Sequence, residues 1–255
     1  MTSETAFFRA RQVNMVAVTS GMSAGFVALL LAHVLADFVF QTKGMVENKR
    51  HPGVFALHIG IVFGLSLVAL GGVWPVAGAV ALAHLGIDGI KTYGVPARWQ
   101  ATFTAFMLDQ LAHLMSLVAA VAIWPEALST GFWAPWLTLL VGPAVVISGL
   151  ILTVIAGGYA VGLITAPYAR AFKAQGLENA GQMIGRLERA VIFLLIAIGQ
   201  PAGIGFLIAA KSLLRFEATK EQKASEYVII GTLTSFGWAL GMSTATLALL
   251  AMVAG

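Results

Sequence analysis

Two stretches decide the fold: residues 29–41, LLLAHVLADFVFQ, and residues 80–91, VALAHLGIDGIK. Each is an apolar run too poor in charge for a water-facing helix, interrupted by a histidine and an aspartate four positions apart. That spacing puts the pair on one face of a helix. Leu31-Ala32-His33 with Asp37 recurs as Leu82-Ala83-His84 with Asp88, at an offset of 51 residues. The same offset superimposes Phe55, Leu57 and His58 on Phe106, Leu108 and Asp109. Three ionisable positions therefore map onto one another, which favours duplication of a two-helix hairpin over coincidence. A duplicated hairpin keeps its orientation, so the reading predicts a four-helix bundle with a pseudo-twofold axis along the membrane normal.

The rest of the chain has the same character. Of 255 residues, 59% are hydrophobic and 10% charged, and the mean hydropathy is +0.89. A soluble domain carries about a quarter charged residues. This composition excludes a soluble enzyme, a disordered tail and a nucleic-acid binder, despite a pI near 9.6. The absence of cysteine excludes disulfide frameworks, thiolate metal sites and cysteine nucleophiles. What remains is an all-α, polytopic transmembrane helical bundle of six to seven membrane helices. These are expected near 16–41, 54–70, 75–92, 102–123, 134–165, 188–210 and 226–253. The fifth is overlong and contains Gly142-Pro143, which predicts a kink, a strong tilt or a break. Gly199-Gln200-Pro201 at the centre of the sixth suggests a re-entrant pair of half-helices over 188–210.

Thirteen of the fifteen Lys and Arg lie in the connections 42–51, 91–98, 170–189 and 211–223, whereas 71–75 and 124–133 hold none. Trp74, Trp124, Trp133 and Trp136 mark the basic-poor side. All four basic connections share a face only if 188–210 does not fully cross, which favours six spans plus a re-entrant element with the basic face cytoplasmic. A plain seven-span arrangement leaves a weaker charge bias. The first fourteen residues match neither a cleaved signal nor a long targeting segment. Two parts follow: 1–125, the duplicated four-helix unit with repeats at about 28–64 and 79–115, and 126–255, the C-terminal membrane helices.

Seven ionisable side chains fall inside the first four apolar segments: His33, Asp37, His58, His84, Asp88, Asp109 and His113. In a bilayer such groups cost several kcal/mol each unless they pair or face a cavity. All lie toward the basic face of their helices, so one convergent cluster is expected. Mixed imidazole and carboxylate donors suit Zn²⁺, Mn²⁺ or Fe²⁺ better than Mg²⁺. The spacing is compatible with one ion and outer carboxylates, with a pair of ions, with proton handling, or with histidine–aspartate bonding that only joins helices. Lys43 and Lys91 stand at the membrane ends of the helices bearing the repeated pair, where they anchor the chain or bind a phosphate. Gln41, one turn beyond Asp37, is a candidate outer-shell donor. His51, beside Pro52, reads as solvated.

In the C-terminal half, 166–189 reads as a Gly-punctuated loop or an interfacial helix. Lys211 and Arg215 are anchors or lipid-phosphate ligands. The run from Gly205 to Lys211-Ser212 imitates a phosphate-binding loop only loosely, because Ala210 replaces the second glycine and no strand precedes it. Thr232, Thr234 and Ser235 read as helix-packing groups.

The pattern His33-x-x-x-Asp37-Phe38-x-x-Gln41, His58, His84-x-x-x-Asp88 with Lys91, and Asp109-Gln110-x-x-His113 resembles a bacterial inner-membrane family catalogued as domain of unknown function 3307. Downstream, Glu188-Arg189, Gly199-Gln200-Pro201, Ala210-Lys211-Ser212-x-x-Arg215-Phe216 and Glu226-Tyr227-x-x-Ile230-Gly231-Thr232 resemble the part that often accompanies it. The resemblance covers about 31–113 closely and 176–236 loosely. It implies an integral protein of the bacterial inner membrane and brings no activity with it. The chemistry rests on the residues, and three functions are open: a metal-dependent hydrolase or phosphotransferase of a lipid-linked or phosphate-bearing substrate, a small-solute or ion transporter, and a non-catalytic scaffold. The bilayer is the expected partner, nucleic acid is not, and the oligomeric state is open.

Overall fold

The computed structural model describes residues 21–169, 180–215 and 222–254, and helix is the only regular structure among them. In chain order the helices are α1 (Gly21–Phe40), α2 (Lys43–Glu47), α3 (Pro52–Ala69), α4 (Trp74–Gly89), α5 (Ala97–Gln100), α6 (Phe103–Ile123), α7 (Leu137–Ile151), α8 (Gly157–Ala169), α9 (Ala180–Ala197), α10 (Ala202–Arg215) and α11 (Gln222–Ala254). Among the described residues, five stretches are long and apolar enough to cross a bilayer: Gly21–Phe40, Pro52–Ala69, Phe103–Ile123, Ala134–Tyr168 and Glu226–Ala254. The chain is an all-helical, multi-pass membrane protein. Leu57, Leu82, Leu108, Leu139 and Leu233 are all more than half exposed, as a lipid-facing surface requires. At 16 residues α4 is shorter than the five spans, and it continues into a wide π turn, Ile90–Gly94.

Two departures from the sequence expectation stand out, beside one agreement. The overlong fifth stretch does not break at Pro143, which is accommodated inside α7. Its ladder changes instead at a π turn, Leu152–Ala156, between α7 and α8. The connection expected over 166–189 is helical at both ends, in α8 and α9, and 170–179 lies outside the described residues. The sixth stretch does divide at Gly199-Gln200-Pro201: α9 ends at Ala197, Gly199 takes φ +70°, and α10 begins at Ala202.

The chain divides into two compact units. One runs through Gln100 and resumes over Met107–Ser148, with Ala251–Gly255; the other is Gly149–Leu250 with Ala101–Phe106. In the first, α3 starts on Pro52 behind a cap in which His51 Nδ1 accepts from the Gly53 amide. It ends in a Schellman turn: the Gly72 amide donates to Leu67 O at 2.8 Å and the Gly71 amide to Val68 O at 3.0 Å. Gly71 sits at φ +66°, and a Cβ there would stand 2.5 Å from the Phe132 amide nitrogen. The turn is that tight because 131–133 lies across it. Phe132 N donates to Gly71 O at 2.8 Å, and Trp133 Nε1 donates to Val68 O at 2.6 Å. Beneath this end lies an apolar core that includes Leu29, Leu70, Val80, Leu117 and Leu128.

In the second unit long side chains reach main-chain carbonyls of the π turn. Arg189 donates to Val154 O through Nε (3.2 Å) and Nη2 (2.9 Å), and through Nη1 to Ser235 Oγ at 3.0 Å. Trp238 Nε1 donates to Leu152 O at 2.9 Å. Gly157 allows this approach, since a Cβ there would lie 2.6 Å from Trp238 Cδ1.

Candidate metal centre

At the end of the first unit opposite the tryptophan-rich turn, four helices deliver their ionisable residues to one level. His33 and Asp37 come from the end of α1, His58 from the start of α3, His84 and Asp88 from the end of α4, and Asp109 and His113 from the start of α6. All seven side chains converge. Ring centroids are 4.0 Å apart for His84 and His113, 5.1 Å for His58 and His84, and 5.1 Å for His33 and His113. His58 and His113 are 1% exposed, Asp88 1% and His84 2%. An apolar group of Ala36, Val62 and Ala81 lies with partly buried Ile59, Phe63 and Leu65, on the same helices.

The tightest part of the cluster is a triangle. His58 Nε2 lies 3.1 Å from His84 Nε2, and each is 3.3 Å from Asp88 Oδ2. A tetrahedral ion with donors at 2.0–2.1 Å separates those donors by about 3.3–3.4 Å. The triangle therefore has the size of one face of such a coordination shell. Asp37 Oδ1 stands next to it, 3.6 Å from His58 Nε2 and 3.5 Å from His84 Nε2. Without a cation the arrangement is poorly satisfied: two imidazole nitrogens face each other, so at most one carries a proton there. Asp37 Oδ1 is buried with no hydrogen-bond partner. Among the described residues, three groups of side chains have the spacing that could hold a metal ion: His33/Asp37/His84, His58/His84/Asp88 and Asp88/Asp109/His113.

The surrounding shell orients the donors. His113 Nδ1 donates to the Asp109 carbonyl at 2.9 Å, which leaves Nε2 as the acceptor nitrogen, buried and without a partner. Lys91 Nζ holds Asp109 Oδ2 at 2.7 Å and Gln110 Nε2 donates to the same oxygen at 3.3 Å. Lys49 Nζ meets Asp88 Oδ2 at 2.8 Å. His33 spans Asp37 and Gln110: its Nδ1 is 3.8 Å from Asp37 Oδ2 and its Nε2 is 3.3 Å from Gln110 Oε1.

Of the other residues singled out in the sequence, Lys91 joins the cluster through Asp109. Lys43 does not: its side chain is 90% exposed and pairs with Glu47 at 3.7 Å. Gln41 follows the π turn that ends α1, and its Nε2 is buried without a hydrogen-bond partner. Lys211 pairs with Glu188 Oε2 at 2.7 Å in the second unit, and the Arg215 side chain lies outside the described residues. His51 is the exposed cap of α3. Sequence reasoning missed Lys49 and Gln110 as members of the cluster. Lys49 sits in a basic connection whose charge was accounted for by membrane anchoring. Gln110 stands in the pattern Asp109-Gln110-x-x-His113, which by itself gives it no role.

Apolar helices of spanning length enclosing a buried histidine–aspartate cluster define a polytopic membrane protein with a polar centre among its spans. Residues 26–140 match the family model described as Protein of unknown function (DUF3307). This segment, which holds all seven cluster residues, is similar to that family, the one the polar pattern resembles. No curated protein matches the chain, and neither does any solved structure.

Proposed function

We propose that the chain is a divalent-transition-metal protein of the membrane, acting as a hydrolase or phosphotransferase on a lipid-linked or phosphate-bearing substrate. The observation that carries the reading is the His58–His84–Asp88 triangle, with edges of 3.1, 3.3 and 3.3 Å. Two imidazoles and one carboxylate are a donor set used for Zn²⁺, and also for Fe²⁺. Three protein donors leave a position open, and a metal ion there supplies Lewis acidity and an acidified water. Asp37, whose Oδ1 stands beside the triangle without a hydrogen bond, is suited to close the shell or to accept a proton. The cluster lies at the end of the helices joined by the basic connections 42–51 and 91–98, which supports a cytoplasmic-face site at headgroup depth. The hairpins bearing His33/Asp37/His58 and His84/Asp88/Asp109 meet in one cluster, which supports the duplication.

The test is elemental analysis of detergent-purified protein with and without His84→Ala, followed by turnover of a lipid phosphate in mixed micelles. A stoichiometric transition metal, lost in the variant, is the expected result. Less than a tenth of an equivalent, unchanged by the substitution, refutes the metal reading. The serial overlap of the donor groups, the first two sharing His84 and the last two Asp88, favours one other reading, stepwise passage of an ion. It predicts metal-dependent flux in liposomes that Asp37→Asn abolishes. Flux equal to that of empty vesicles counts against it.

A further inference from the structure

The donor atoms outnumber the needs of one ion, and the surplus is organised. His113 and Asp109 each present a buried polar atom, Nε2 and Oδ1, with no hydrogen-bond partner. In both residues the other polar atom is already committed: His113 Nδ1 to the Asp109 carbonyl, Asp109 Oδ2 to Lys91 and Gln110. Burying such atoms unpaired costs about 1–3 kcal/mol each, and two neighbouring orphans with fixed orientation are the mark of a missing partner. Both are acceptors, so that partner is a donor or a cation. Asp88 joins them in a group whose donor atoms all lie within 4.8 Å of one another, and Asp88 is also the carboxylate of the triangle.

We infer that Asp88, Asp109 and His113 form a second divalent-cation position, with Asp88 shared between it and the His58–His84 position. This deepens the metal reading above and rests on it. A carboxylate has two oxygens and can bridge two ions, and paired ions about 3.5–4 Å apart are a recurrent arrangement for clamping a phosphoryl group. His113 rests 4.0 Å, centroid to centroid, from the His84 ring, so the two positions are immediate neighbours. The second has two carboxylates and one imidazole. It is the more oxygen-rich of the two and suits Mn²⁺ or Fe²⁺ at least as well as Zn²⁺. Lys91 holds Asp109 Oδ2 and thereby leaves Oδ1 for the ion.

The test is metal stoichiometry of the full chain in detergent, loaded with Co²⁺ and desalted, together with the visible Co²⁺ spectrum during titration. Wild type is expected to retain two ions per chain, filled in two spectral phases. His113→Gln and Asp109→Asn should each retain one ion with the first phase intact, and His58→Ala should lose the first phase. One ion per chain in a single phase, lost in His58→Ala and untouched by His113→Gln, overturns the second position while leaving the metal reading standing. No retained ion in wild type overturns both. If the His113 and Asp109 variants do not fold, the wild-type stoichiometry decides alone: two retained ions support the second position and one overturns it.

Discussion

Replacing His58 by alanine offers the sharpest quantitative test of the cluster. His58 is 1% exposed and supplies two of the three edges of the triangle, 3.1 Å to His84 and 3.3 Å to Asp88. Zinc sites built from four donors bind with apparent free energies of about 10–16 kcal/mol at neutral pH. A quarter of that is about 3 kcal/mol per donor, so His58→Ala should weaken Zn²⁺ binding roughly 100-fold or more. The control is His51→Ala, which removes the exposed helix cap seven residues earlier and should leave the affinity unchanged. Competition with a chromophoric chelator in detergent measures both, and size-exclusion profiles verify folding. The reasoning fails if His58→Ala binds within threefold of wild type, or if His51→Ala weakens binding as much.

Three further expectations concern what holds the helices of each unit together. Lys49→Met should lower stability by about 2 kcal/mol, because it strips the 2.8 Å partner from buried Asp88; Lys43→Met should change it by less than about 0.5 kcal/mol, its pair being at the surface. Thermal unfolding of the chelator-treated protein in detergent compares the two, and equal effects contradict the assignment of Lys49 to the cluster. Arg189→Met leaves the Val154 carbonyl and Ser235 without their donor and should cost about 2–3 kcal/mol, with Arg189→Lys failing to rescue because one ammonium cannot reproduce the guanidinium fork. Gly71→Ala should destabilise by about 2 kcal/mol or more, from the positive φ and the adjacent Phe132 amide, while Gly78→Ala, with open space around it, serves as the neutral comparison in the same unfolding assay.

The cluster was legible in the sequence because the bilayer makes its members conspicuous. A histidine in a soluble core draws no attention, but His33, His84 and His113 interrupt runs that otherwise avoid polarity. The four-residue spacing to their aspartates then fixes a face. The helix break at Gly199-Gln200-Pro201 was legible for a similar reason, since positive φ and proline both halt a helix. The lysines were not. Lys43 lies nearer the end of α1 in sequence, yet the short α2 carries it away, and the turn 48–50 brings Lys49 to Asp88. Loop geometry of that kind leaves no periodic trace. Nor do the π turns: Leu152–Ala156 contains neither proline nor glycine, whereas Pro143, the expected breaking point, is absorbed within α7. Arg189 read as the close of a loop because its partner, the Val154 carbonyl, lies far away in sequence and meets it only through helix packing.

The wide turns ending α1 and α4 fall at different places relative to the two aligned aspartates. Asp37 lies inside the first, Ala36–Phe40, whereas Asp88 lies two residues ahead of the second, Ile90–Gly94. One extra residue per turn changes the direction in which everything beyond it points. The carboxylates at matching positions therefore leave differently wound backbone: Asp88 meets a lysine and belongs to two donor groups, whereas Asp37 has only histidines near it among the described residues. Two identical hairpins associating as separate chains would have to give both aspartates the same surroundings. Encoding both hairpins in one polypeptide removes that obligation, and each half is free to specialise.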